Sequence, residues 1–135
     1  LVIVLFEMVL VYKLENYAKP IRIIAWGVLI VALYYLILSI GPIQYWMAVL
    51  LAILITIGEI LAMPFMNSFW IARSRNHNRG EYAALYTMAW STAQTIGPFL
   101  SAQLADATSF RFTWLIVGLC CTVTALLFRF SRQFT

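Results

Sequence analysis

Residues 45–71 read YWMAVLLAILITIGEILAMPFMNSFWI, an apolar run interrupted by one charged side chain, Glu59. A hydrocarbon core of about 30 Å is crossed by about 20 residues of α-helix, each rising about 1.5 Å. The run is therefore long enough to span a bilayer. A transmembrane strand is excluded, because it would alternate apolar and polar residues over about ten positions.

Three more blocks of this kind flank the first, at 21–40, 82–105 and 112–130. Residues 1–12 are also apolar but reach only about 18 Å as a helix, which is too short to cross. They read as the tail of a truncated span. The chain starts at Leu1 without Met and has no basic residues ahead of an apolar signal core, so upstream sequence is expected. The connections carry turn chemistry: Lys19-Pro20, Gly41-Pro42, the polar run 73–80 and residues 106–111.

The composition agrees. With 64% of positions apolar, 10% charged and a mean hydropathy of +0.90, the chain cannot cover itself with polar surface in water. In lipid every backbone N–H and C=O has to be paired within the protein, and helices do this span by span. The expected fold is all-α, an integral membrane helical bundle. Residues 1–135 form a single transmembrane domain with no soluble domain between the spans.

Lys and Arg in short loops are retained on the cytoplasmic side. Lys13, Lys19, Arg22, Arg73, Arg75, Arg79, Arg129 and Arg132 fall on one side of the predicted membrane, and Arg111 alone on the other. The cytoplasmic loop 73–80, with Arg73, Arg75, Arg79 and Gly80, and a cytoplasmic C-terminus follow. The +4 net charge needs no nucleic-acid partner. Tyr12, Tyr17, Tyr45, Trp46, Trp70, Tyr82 and Trp114 lie near the proposed interfaces and read first as anchors.

The spans differ in polarity. Stretches 21–40 and 112–128 contain no charged side chain beyond Arg22 at the boundary, with Tyr34, Tyr35, Thr122 and Thr124 as weakly polar interruptions, and are expected to face lipid. The two spans between them hold Thr56, Glu59, Asn67, Thr87, Ser91, Gln94 and Gln103, which are costly against acyl chains and are expected to line an interior. Small residues recur at every fourth position as Ala89, Ala93, Gly97, Ser101 and Ala105, and again as Ala48, Ala52 and Thr56. Such rows serve either as tight packing faces or as sliding interfaces. Pro64 and the pair Gly97-Pro98 mark expected helix kinks.

Glu59 lies about 20 Å along the helix axis from Arg73 and a similar distance from Gln44, near mid-membrane. An ionised, unpaired carboxylate at that depth is costly. Three states remain: protonated, hydrogen-bonded to polar neighbours, or paired with a cation from elsewhere in the protein or from a ligand. Ala52, Thr56, Met63 and Met66 share its helical face, with Tyr45 and Trp70 toward the ends. This surface suits an amphipathic solute; the alternative is a structural glutamic acid bonded between helices. Glu7 is closer to the boundary and less specific.

Other chemistry is thin. Cys120-Cys121 suits neither an ordinary disulfide nor a metal site with separated ligands and reads as packing. His77, in the basic loop, reads as solvated. There is no phosphate loop, paired-His metal motif or nucleophile elbow. No metal, cofactor or enzymatic activity is expected.

Three pieces of sequence carry a family resemblance: Gly58-Glu59-Ile60-Leu61-Ala62-Met63-Pro64, Arg79-Gly80-Glu81-Tyr82, and Gly97-Pro98. In this order they resemble the tenth and eleventh helices of the major facilitator superfamily, in particular its proton-linked, drug-efflux-like members. The Gly58-Glu59 and Pro64 spacing is also similar to proton-coupled peptide transporters. Residues 13–20 depart from the family's glycine-containing cytoplasmic signature. The resemblance implies the C-terminal half of the fold, with the N-terminal half of the same chain as partner. The tenth helix would border the central cavity and the ninth and twelfth would lie outside.

The expected function is secondary active transport of a small solute across the cell (inner or plasma) membrane by alternating access, linked to protons. The substrate or proton-coupling candidates are Glu59, Thr56, Met63, Asn67 and Gln94; Pro64, Gly97 and Pro98 shape the moving helices. The alternative is a non-transporting multi-span subunit or receptor that binds partner helices.

Overall fold

Each long apolar block forms one helix, as backbone pairing in an oily medium requires. The computed structural model describes residues 20–42, 44–74 and 77–130, in four helices: α1 (Pro20–Ile40), α2 (Tyr45–Ala72), α3 (Arg79–Ala107) and α4 (Phe110–Phe130). The expectations for residues 1–12, Glu7, Lys13, Lys19, Arg75 and Arg132 lie outside the described residues.

Local chemistry sets the helix ends. Pro20 opens α1, where its missing N–H and fixed φ cost nothing. At the end of α2, the Ser74 backbone N–H and hydroxyl both donate to the Ile71 carbonyl, at 3.0 and 2.6 Å. The Thr108 N–H and hydroxyl close α3 on the Leu104 carbonyl, at 3.0 and 2.7 Å. The Ser109 hydroxyl then accepts from the Phe112 N–H at 3.3 Å and starts α4. Pro64 and Pro98 lie inside helices that run on past them.

All eight threonines among the described residues donate their hydroxyl to the carbonyl four residues earlier. In α2 this is Thr56 to Ala52 at 2.8 Å. In α3 it is Thr87 to Ala83, Thr92 to Met88, Thr95 to Ser91 and, at the cap, Thr108 to Leu104. In α4 it is Thr113 to Ser109, Thr122 to Gly118 and Thr124 to Cys120.

α1 lies along both α2 and α4, whereas α3 touches α2 and α4 sparsely. Two close approaches hold the first three together. A Cβ placed on Gly27 would come within 2.8 Å of the Ala62 nitrogen and 2.9 Å of the Gly58 oxygen. One placed on Gly118 would meet Leu36 Cδ2 at 2.9 Å. The backbones of α1 and α2 therefore touch where Gly27 faces Gly58 and Ala62, a small-xxx-small pair that lets two helices gain dispersion contact along their length. Ile23, Ile24 and Phe65 form the buried cluster, with Leu61, Phe69 and Phe128 packed against it.

This packing corrects three expectations. α1 is not simply a lipid-facing span: it lies between two neighbours and buries Ile21, Ile23, Ile24, Gly27 and Ala32, leaving Trp26 and Leu33 on its outer side. α4 likewise buries Thr113, Gly118 and Ala125 on one face and exposes Val123 and Leu127. Among the described residues the small-residue rows form no interface either. Ala48 and Ala52 are exposed, α3 has no buried residue, and a Cβ on Gly97 meets nothing within 4 Å. The physical reason is register. Gly58 and Ala62 point away from the Ala48–Ala52–Thr56 row, and only their side meets a complementary groove on α1.

By length and apolar content α1, α2 and α4 qualify as membrane spans. α3 is longer than either α1 or α4 but more polar, with Ser91, Gln94 and Gln103 among its central residues.

Candidate functional site

Gly58 determines where Glu59 points. Gly58 is buried against Val31 and Gly27, and the next residue lies about 100° further round the helix. Glu59 is therefore exposed at the rim of the α1–α2 interface rather than inside it. Tyr35 lies one turn beyond Val31 on α1. Its ring stacks on Trp114 of α4, with centroids 5.6 Å apart and planes 16° from parallel. Tyr34 meets Tyr35 edge-on at 5.0 Å.

Tyr35 of α1 and Trp114 of α4 thus form one aromatic patch, with Glu59 exposed on the neighbouring α2. The patch is on the opposite side of α1 from its outer face. Trp26 precedes Tyr35 by nine residues, or two and a half turns, so the two rings point in opposite directions. Trp26 is 62% exposed on that outer side.

The remaining candidates divide. Thr56, Met63 and Asn67 continue the Glu59 face of α2; Met63 and Asn67 are exposed, and the Thr56 hydroxyl proton is used by the Ala52 carbonyl. Gln94 is exposed on α3, and among the described residues nothing brings it into contact with Glu59. Arg73, Arg79 and Gly80 are exposed around the α2–α3 turn, with the Arg73 guanidinium 4.4 Å from the centre of the Phe69 ring. Cys121 is half-buried and Cys120 exposed. Among the described residues no group of three His, Cys, Asp or Glu is placed to hold a metal ion.

Two of the aromatic residues also make contacts within the protein. Trp70, expected as an interface anchor, donates its indole N–H to the Tyr82 carbonyl at 2.6 Å and packs on the Tyr82 ring at 5.6 Å. It ties α2 to the start of α3 across the basic loop. Trp114, also read as an anchor, is the stacking partner of Tyr35. The signal for this patch was present: Tyr34 and Tyr35 are paired hydroxyls inside a long apolar span, and such hydroxyls turn toward protein or water.

The helices alternate in direction, so Arg22, Arg73, Arg79 and Arg129 lie at one end of the described structure and Arg111 at the other. A cavity of about 340 Å³ opens at the first end, between α1 and α4 and away from Glu59. It belongs to a different surface from the carboxylate patch.

No curated protein and no solved structure matches the chain. One family does, and its match takes in all four helices, the Gly58–Pro64 segment and the Gly97-Pro98 pair: over residues 1–134, the chain belongs to the Major Facilitator Superfamily.

Proposed function

We propose that this transporter moves a small amphipathic solute by alternating access, with proton movement linked to Glu59. Membership of the superfamily makes the protein an integral membrane transporter that acts on a solute. The single observation that carries the finer reading is Glu59 itself, a carboxylate left exposed on α2 next to the buried Gly58.

A carboxylate beside aromatic faces binds a cationic or zwitterionic solute by charge and by ring contact. The same carboxylate, once protonated, loses its hold on that cation. Competition between proton and solute for one group therefore gives coupling without a second titratable side chain. Thr56, Met63 and Asn67 extend the surface along α2, and Gln94 faces the pathway from α3. Pro64, Gly97 and Pro98 lack the backbone bonds or side-chain bulk that resist bending, which suits helices that rock. The charge alternation supports an orientation with the basic loop and C-terminus in the cytoplasm of the inner or plasma membrane, and the resemblance to drug-efflux-like members supports the C-terminal half of the fold.

The test uses the full-length protein in liposomes containing a pH-sensitive dye, with ethidium as a lipophilic cation and dialanine as a zwitterion. Wild-type protein is expected to move protons when one of these probes is supplied. Glu59→Gln should abolish that proton movement, and Tyr35→Phe should weaken probe affinity several-fold while leaving coupling intact. Unchanged coupling and affinity in Glu59→Gln would remove the carboxylate from the mechanism.

A further inference from the structure

The cavity between α1 and α4 is lined at its mouth by Arg22 and Arg129, and deeper by Ala25, Trp26, Leu29 and Leu126. From this arrangement we infer a binding site for one anionic phospholipid of the surrounding bilayer, separate from the transport pathway. The inference does not depend on the role given to Glu59.

Five observations converge. Arg22 lies in the first turn of α1 and Arg129 in the last turn of α4, so antiparallel packing brings two guanidinium groups to one end of the cavity. Both side chains are exposed, and among the described residues neither has an acidic partner. The walls below them are apolar, the surface that acyl chains prefer. Trp26 and Leu29 are turned away from Tyr35, so the cavity opens on the opposite side of α1 from that ring. The volume of about 340 Å³ is within the usual range for a ligand pocket.

The chemistry selects the occupant. Guanidinium groups form paired, charge-assisted hydrogen bonds with phosphate oxygens. Two of them above an apolar groove match a headgroup with net negative charge followed by its chains. A zwitterionic headgroup brings its own cation and gains less from two arginines. Free inorganic phosphate satisfies the guanidinium groups but not the groove.

The experiment is native mass spectrometry of the full-length protein, purified from detergent mixed with phosphatidylglycerol or phosphatidylcholine. Wild type should retain one phosphatidylglycerol in preference to phosphatidylcholine. Removing charge at each arginine should weaken that preference about fivefold, and Arg22→Gln with Arg129→Gln together about thirtyfold. Arg22→Lys with Arg129→Lys keeps the charge but loses the paired geometry and should retain part of the preference, which also shows that the site survives substitution. Arg111→Gln, at the opposite end, should change nothing. Equal retention of the two lipids by wild type, undiminished retention by the double glutamine variant, or full displacement by millimolar inorganic phosphate would each overturn the inference.

Discussion

Gly27 in the apolar α1 and Gly97 in the more polar α3 occupy opposite kinds of space. Around Gly27 the backbone of α2 is so close that a methyl group would collide with Ala62 and Gly58. Around Gly97 there is room for a side chain, although Gly97 belongs to the longer and more regular row of small residues. The contrast shows that spacing of small residues is necessary for close helix packing but does not produce it. A complementary ridge on the facing helix is needed as well, and Gly27 meets one in Gly58 and Ala62.

Three substitutions probe this comparison, in decreasing order of expected effect. Gly27→Val should destabilise the full-length protein by about 3 kcal/mol, because the atoms it meets are backbone and cannot swing aside. Thermal unfolding in detergent measures this, and a melting temperature within a degree of wild type would dissolve the α1–α2 contact. Trp70→Phe keeps the ring but removes the indole N–H from the Tyr82 carbonyl, a loss of about 1 kcal/mol. Its expected signature is faster amide hydrogen exchange confined to the turn between α2 and α3; protection unchanged at Tyr86 and its neighbours would contradict it. Gly97→Ala should be neutral or stabilise by up to about 1 kcal/mol through helix propensity. A clear loss of stability there would mean that α3 has a tight partner in the whole protein, and would redraw the comparison rather than confirm it.

The sequence made the helices legible because hydrophobic length is a one-dimensional signal. Blocks 21–40 and 45–71 became α1 and α2 with almost the same limits, and the Gly41-Pro42 turn falls between them. The polar loop turned out shorter on its α3 side, because Arg79 and Gly80 already belong to the helix. What could not be read was azimuth. Knowing that Glu59 is central says how deep it lies, not which way it faces, and that direction was set by its neighbour Gly58 meeting Val31 across the interface. Tyr35 and Trp114 escaped notice for the same reason: they come from helices separated by most of the chain and become neighbours only once α1 and α4 pack. Gln94 shows the reverse, a plausible partner by polarity that packing leaves apart from Glu59.

The hydroxyl bonds of the threonines bear on the one helix whose composition argues against insertion. A hydropathy scale scores each threonine as though its O–H still sought an outside partner, yet in α3 Thr87, Thr92 and Thr95 have already turned theirs back onto their own backbone. What such a residue shows its surroundings is mainly a methyl group. The number of polar aliphatic side chains in α3 that ask something of their environment therefore shrinks to Ser91, Gln94, Ser101 and Gln103 in its central turns. A helix that reads as reluctant on paper is thereby much closer to its three companions in the medium it can tolerate.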